Sequence, residues 1–149
     1  MEDTNQLFHE IFQTARYVKK EVDGTLKQYG LYHSQWAILH CLKKFGPMSQ
    51  TAIWQYLNVE APTVTRTVKR LEETGWVLRK SGADKRERVV ALTDKAVEAL
   101  PEVEAAVREF EGKMVRSLSD EQQDTLLILL RMIGQRNERG DGVNDTSGE

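Results

Sequence analysis

Cysteine is the scarcest informative residue in this 149-residue chain: there is one, Cys41. A single thiol excludes an internal disulfide framework and a Cys-rich zinc site. Long apolar runs are also missing. The most apolar stretch, Leu126 to Leu130, is far too short to span a bilayer and sits inside a helix-like pattern. The first residues lack the layout of a signal peptide, so a soluble, cytoplasmic protein is expected. No phosphate-cradling Gly-rich loop, zinc-protease motif or nucleophile elbow occurs. Nothing in the chain argues for an enzyme or for a cofactor.

What is present is apolar content sufficient to close one ordinary core and an uneven charge. The net charge is −2. The last segment, 137–149, holds Glu138, Asp141, Asp145 and Glu149 against Arg139, so the remainder of the chain is slightly positive. Between Ala61 and Leu92, eight basic residues face four acids. Affinity for phosphate follows local cations and counterion release rather than whole-chain charge. A basic island on a near-neutral body fits a selective nucleic-acid binder.

Periodicity orders the chain. Apolar residues at Leu7, Phe8, Ile11, Phe12, Ala15, Val18, Val22 and Leu26 recur in steps of three and four, marking one face of a helix over 4–29 that Gly30 ends. A second helix is expected over 33–45, with Trp36, Leu39 and Leu42 inward and Gly46-Pro47 closing it. Ser49 can cap a helix over 50–57 that buries Ile53 and Leu57. Asn58-Val59-Glu60 reads as a turn. Pro62 opens a helix running to about Thr74, stopped by Gly75. Val64, Val68 and Leu71 then face inward, leaving Thr63, Thr65, Arg66, Lys69 and Arg70 largely outward. Two β-like runs, 76–80 and 88–92, flank a polar tip and predict a long-looped hairpin. Thr93 is the expected cap of a helix to about Ser117, in which Pro101 predicts a kink or a break. Ser119-Asp120-Glu121-Gln122 carries a capping-box signature before a last helix to about Arg136, and the tail over 137–149 is expected to be disordered.

The order short helix, turn, Thr/Arg-rich helix, basic hairpin is what a winged helix-turn-helix needs to place one helix and one β-finger on DNA. The expected fold class is therefore mainly α with a small β-hairpin wing. Residues 1–136 are expected to form a single winged-helix domain, with a DNA-binding lobe over about 33–93 and dimerisation helices over about 4–29 and 94–136. The last helix, with Leu126, Leu127, Leu129, Leu130 and Ile133, is apolar over more than half its surface and must be covered on more than one side. A two-fold homodimer supplies that cover and lets each protomer read one half-site.

The chain resembles the MarR family of bacterial winged-helix regulators. The resemblance is carried by Glu60-Ala61-Pro62-Thr63-Val64-Thr65-Arg66, by Leu71-Glu72-Glu73-Thr74-Gly75-Trp76-Val77, and by Asp84-Lys85-Arg86 leading to Leu92-Thr93. Tyr32 stands where many members place a capping Thr or Ser. The resemblance implies a homodimer joined by its terminal helices, a helix from each subunit in the major groove of double-stranded DNA, and a wing Arg, here Arg86, at the minor groove with Asp84 bracing it. The candidate DNA interface comprises Ser49, Gln50, Pro62, Thr63, Thr65, Arg66, Lys69, Arg70, Arg79, Asp84, Lys85 and Arg86. Arg66 suits a two-pronged contact with guanine, while Lys69, Arg70 and Arg79 suit phosphate. The bland alternative pairs Arg66 with Glu73 and leaves Asp84 and Arg86 as hairpin stabilisers.

Family members commonly respond to small aromatic anions, oxidants or metals. Phe12, Arg16, Trp36 and His40 lie on helices that the family folds toward the junction of its dimer and DNA lobes, and form a candidate effector pocket; the reading that comes first is that Phe12 and Trp36 are core, which apolar helical periodicity alone explains, and that Arg16 pairs with a surface acid. Oxidation-sensing members place their cysteine in the first helix, where this chain has none, so Cys41 reads first as a packing residue and only second as an oxidant sensor. His9, His33 and His40 lack the accompanying ligands of a metal site. The competing function, from a different class, is a winged-helix protein–protein interaction module.

Overall fold

The computed structural model describes residues 4–82 and 88–135. Its helices are α1 (Thr4–Leu26), α2 (His33–Phe45), α3 (Gln50–Leu57), α4 (Ala61–Glu73), α5 (Asp94–Met114) and α6 (Asp120–Met132), with short 3-10 turns at Lys27–Tyr29 and Ile133–Gln135. Its strands are β1 (Met48–Ser49), β2 (Val77–Ser81) and β3 (Arg88–Leu92). Two compact units divide the chain within α5, the first running to Phe110 and the second starting at Glu111. Among the described residues no helix is long and apolar enough to cross a membrane.

The helix ends follow from local chemistry. Helical segments stop at or just before residues with positive φ, among them Gly30 (70°), Gly46 (79°), Asn58 (57°) and Gly75 (83°). At Gly75 the Trp76 N–H reaches the Leu71 carbonyl at 2.9 Å and the Gly75 N–H reaches Glu72 at 3.1 Å. That pair of bonds satisfies carbonyls the helix end would otherwise orphan, and it requires a left-handed residue that glycine adopts without strain. Asn58 makes the same stop between α3 and α4, with Val59 N–H on the Trp54 carbonyl at 3.2 Å. Helix starts are equally explicit. The Ser49 hydroxyl accepts from Ala52 N–H at 3.0 Å, Thr93 from Ala96 N–H at 3.1 Å, and Ser119 and Gln122 cap one another reciprocally at 3.1 and 2.9 Å.

Residue 32 offers no such hydroxyl cap, yet α2 begins at His33 as the pattern predicts. The cap comes from elsewhere: the Asp23 carboxylate of α1 accepts the His33 N–H at 2.6 Å, and Gln35 Oε1 accepts the Tyr32 N–H at 2.9 Å. An acid at a helix N-terminus also meets the positive end of the helix dipole.

The core of the first unit is aliphatic. Leu26, Leu31, Ile38, Leu39, Leu42, Ile53, Val64, Val68, Leu71, Val77, Val90 and Leu100 are its largest fully buried side chains. Each contributes on the order of 1.5–3 kcal/mol by leaving water. Trp36 and Trp76 complete it. Several expectations need correction. The sheet has three strands, not two: β1 pairs antiparallel with β3 (Met48 opposite Val90, Ser49 opposite Val89), giving the order β1-β3-β2. A two-residue strand has no alternation to reveal it. Pro101 neither breaks nor divides its helix, since α5 is continuous from Asp94 to Met114. The last α-helix ends at Met132, short of Arg136, with positive-φ Gly134 just beyond. Along α1 only Val22 and Leu26 of the predicted apolar series are buried; Leu7, Phe8 and Phe12 are 40–55% exposed.

Two consequences can be measured. Leu39→Ala deletes a fully buried side chain and should cost about 2–5 kcal/mol of unfolding free energy, read from the urea midpoint. Burial, reinforced by Lys19 and opposed by Asp23, holds the His33 imidazole below its ordinary value of 6.5. The unfolded chain therefore takes up this proton first. Stability from this group is complete above about pH 6.5 and declines as pH falls toward the lowered folded value. Urea titrations between pH 7 and 5 should show that decline, and His33→Gln should flatten it.

Candidate nucleic-acid interface

The α4 helix places Val64, Val68 and Leu71 in the core. Pro62, Thr65, Arg66, Lys69 and Arg70 are exposed, and Thr63 is half-buried. Ser49 and Gln50 lie half-buried at the start of α3. The α3–turn–α4 unit thus presents one polar, cationic face. Val59, Glu60 and Pro62 are exposed at the start of α4 and Glu72 and Glu73 at its end, but between them the outward side chains of α4 are Thr65, Arg66, Lys69 and Arg70, the surface chemistry of a phosphate-facing helix.

The cations on and beside this face differ in what they touch. Glu73, the alternative partner considered for Arg66, lies 3.7 Å from Arg70 instead. Among the described residues, Arg66 and Lys69 have no hydrogen-bond or ion-pair partner, so both remain available to an outside anion. Arg79 is committed. Its Nε and Nη2 donate to the two carboxylate oxygens of Glu72 at 3.2 and 2.9 Å. This fork ties α4 to β2. Hydrogen bonding to Arg79 holds the Glu72 carboxyl below its usual range, and the same bond raises Arg79. The sequence did not single out Glu72, because a pair seven residues apart across a helix stop leaves no periodic trace. Asp84, Lys85 and Arg86 lie outside the described residues. Lys80 and Arg88 are exposed on the strands that flank them.

Gln50 and Thr65 connect the two helices. The Thr65 hydroxyl lies 3.2 Å from the Ala61 carbonyl and 3.4 Å from Gln50 Oε1, while Gln50 Nε2 is buried without a partner among the described residues.

The candidate effector residues form two separate pairs, each one helical turn long. Arg16 sits 5.9 Å from the Phe12 ring centroid on α1. Trp36 and His40 on α2 have ring centroids 5.4 Å apart. Trp36 is buried, whereas Phe12 and His40 are exposed. An open groove of about 460 Å³ lies elsewhere, lined by Ser119, Glu121, Gln122, Thr125, Leu126 and Leu129 of the second unit. Cys41 is 1% exposed and its thiol points at Met48 Sδ, 3.1 Å away. Burial pushes the thiol up to about 11, against a smaller opposing effect of Lys44. At neutral pH it is a protonated, packed side chain rather than a nucleophile.

Comparison with known proteins settles the family. The MarR family model matches residues 31–87. An uncharacterized HTH-type transcriptional regulator of Bacillus subtilis strain 168, YwoH, is 48% identical over 130 residues, covering 87% of this chain and 95% of that protein. The chain belongs to the MarR family. It is a MarR-type transcriptional regulator and not an enzyme. Among solved MarR-like structures, reduced AbfR bound to DNA is 28% identical with a TM-score of 0.72, covering 90% of this chain and 93% of that one. A mutant of Escherichia coli MarR in complex with operator DNA shares the fold at a TM-score of 0.81 and 21% identity, covering 87% and 94%. In this MarR-family chain the matched segment contains α2, β1, α3, α4 and β2, and so includes the α3–turn–α4 unit that presents the cationic face.

The buried thiol yields a simple check. In the native protein at pH 7.5, Cys41 should resist an aromatic disulfide reagent that titrates it stoichiometrically in urea. Rapid native reaction would mean that the thiol is accessible and ionised.

Proposed function

We propose that this MarR-family protein is a homodimeric, sequence-specific DNA-binding repressor that occupies a pseudo-palindromic operator. One observation carries the reading: the outward face of α4 combines short hydroxyl side chains with two cations, Arg66 and Lys69, that have no partner among the described residues. Arg66 is the base reader and Lys69 a phosphate contact. Ser49, Gln50, Pro62, Thr63 and Arg70 frame them, and Asp84, Lys85 and Arg86 extend the contact from the wing. Arg79 acts chiefly by fixing β2 against α4 through Glu72 and only at its rim toward phosphate. The DNA complexes of AbfR and of E. coli MarR support double-stranded DNA as the partner class.

Dimerisation is supported by apolar surface that water does not favour. Leu126, Leu127, Ile128, Leu129 and Met132 on α6 are 45–65% exposed, as are Leu7, Phe8 and Phe12 on α1 at 40–55%. Monomers rarely leave such apolar helix faces uncovered. The division of labour is a DNA lobe over about 33–93 and dimerisation helices over about 4–29 and 94–136, with the acidic tail over 137–149 outside the described residues. The effector class is a small aromatic anion, supported by the ring-beside-cation pairing of Phe12 with Arg16 and the ring pair Trp36 with His40. Binding there relieves repression if the effector favours a dimer whose α4 helices no longer fit consecutive grooves.

The test is selection of bound sequences from random duplexes, followed by titration of the winner against scrambled DNA at several salt concentrations. The expected site is a pseudo-palindrome with half-sites about 10–10.5 bp apart or a multiple of that spacing, bound at least about a thousandfold tighter than the scramble. Arg66→Ala should cost about 1–3 kcal/mol and relax preference at one base pair per half-site. Lys69→Ala should weaken all duplexes alike and reduce the salt slope by about one. Equal losses on all sequences for both variants would overturn the roles assigned to them.

A further inference from the structure

We propose that Thr65 reads the 5-methyl group of a thymine in each half-site, and that Gln50 is the positioning residue that confines it to this role. The inference rests on the DNA-reading role of α4 proposed above and specifies what one position of that helix recognises.

The argument starts from the hydroxyl. Thr65 Oγ1 lies within donor range of two oxygens, the Ala61 carbonyl at 3.2 Å and Gln50 Oε1 at 3.4 Å. A hydroxyl has one proton and cannot serve both. Gln50 Nε2, meanwhile, is buried with no acceptor among the described residues, and a buried N–H without a partner is costly. Exchanging the amide's nitrogen and oxygen resolves both problems at once. Nε2 then donates to Thr65 Oγ1, and Thr65 donates its single proton to Ala61. The oxygen that takes the buried position is an under-satisfied acceptor, which proteins tolerate better than an orphaned donor.

In that network the Thr65 hydroxyl is held from both sides by the protein. Its proton points back along α4, and its acceptor side faces α3. A threonine so bonded has little left to offer the hydrogen-bonding edge of a base. Thr65 is nevertheless exposed on the outward face of α4, next to Arg66 and one turn before Lys69. The part of the side chain free to meet the groove is its methyl group. Of the groups that bases present in the major groove, only thymine's 5-methyl is apolar. Gln50, at the first position of α3, contributes by holding the hydroxyl away from the DNA.

The experiment uses full-length protein and the duplex recovered by selection, with each thymine replaced singly by deoxyuridine, which deletes the methyl and keeps base pairing. In the wild type, one thymine per half-site should show a loss of about fourfold on replacement, the value of one buried methyl group. Thr65→Val keeps a methyl and has no hydroxyl, and should preserve that ratio. Thr65→Ser keeps the hydroxyl and has no methyl, and should bring the ratio to one. Gln50→Leu should lower the ratio, because the freed hydroxyl can rotate toward the groove, whereas a purely structural role for Gln50 would weaken thymine and uracil duplexes equally. If the wild type is indifferent to deoxyuridine at every position, or if Thr65→Ser stays as sensitive as wild type, the assignment is overturned while DNA reading stands. If no duplex is enriched at all, the underlying reading fails and the assignment with it.

Discussion

Burying Val64, Val68 and Leu71 fixes the rotation of α4 about its own axis, and the rest of the cationic face depends on that angle. All three side chains are at most 1% exposed. Turning the helix by one residue would expose at least part of this stripe at a cost of several kcal/mol and would bring cations toward the core, where an unpaired charge is far more costly. The outward direction of Thr65, Arg66 and Lys69 is therefore set by hydrophobic burial on the opposite side. The side chains that meet a ligand need contribute nothing to holding their own helix in place.

Around that axis, polar links at the helix ends fix the neighbouring elements. The left-handed Asn58 turns the chain from α3 into α4, and Gly75 turns it from α4 toward the sheet. Thr93 closes the unit: its hydroxyl donates to the Gly75 carbonyl at 2.7 Å, its N–H to the Trp76 carbonyl at 3.1 Å, and it caps α5 as well. The fork from Arg79 to Glu72 adds a side-chain link between α4 and β2. Both partners are partly exposed, so the fork contributes more to orientation than to stability.

Much of this was legible in the sequence because its signals are local. The capping bonds of Ser49, Thr93 and Ser119 and the helix stop at Gly75 each reach only a few positions along the chain, and the apolar stripe of α4 repeats within four turns. The parts that escaped notice are those where the partner is distant or the element too short for a period. The cap of α2 comes from Asp23, ten residues upstream across a turn. The β1 strand is two residues long. The continuity of α5 through Pro101 reflects tertiary packing: Leu100 and Val103, flanking it, are buried at 1% and 0%, and that burial outweighs one missing backbone bond. For the candidate site, the residue types on α4 were legible, but which cations were already engaged was not. In the sequence both Arg66 and Arg79 read as cations free to meet DNA, whereas in the fold Arg79 is engaged by Glu72.

Ser49 belongs to two elements at once. It is the last residue of β1, opposite Val89 of β3, and its hydroxyl caps α3. The hairpin and the first helix of the helix-turn-helix therefore pivot on a shared residue, with no flexible linker between them to absorb a rotation. A displacement of β3 therefore either carries the first turn of α3, and Gln50, with it or gives up the pairing of Met48 with Val90 and of Ser49 with Val89.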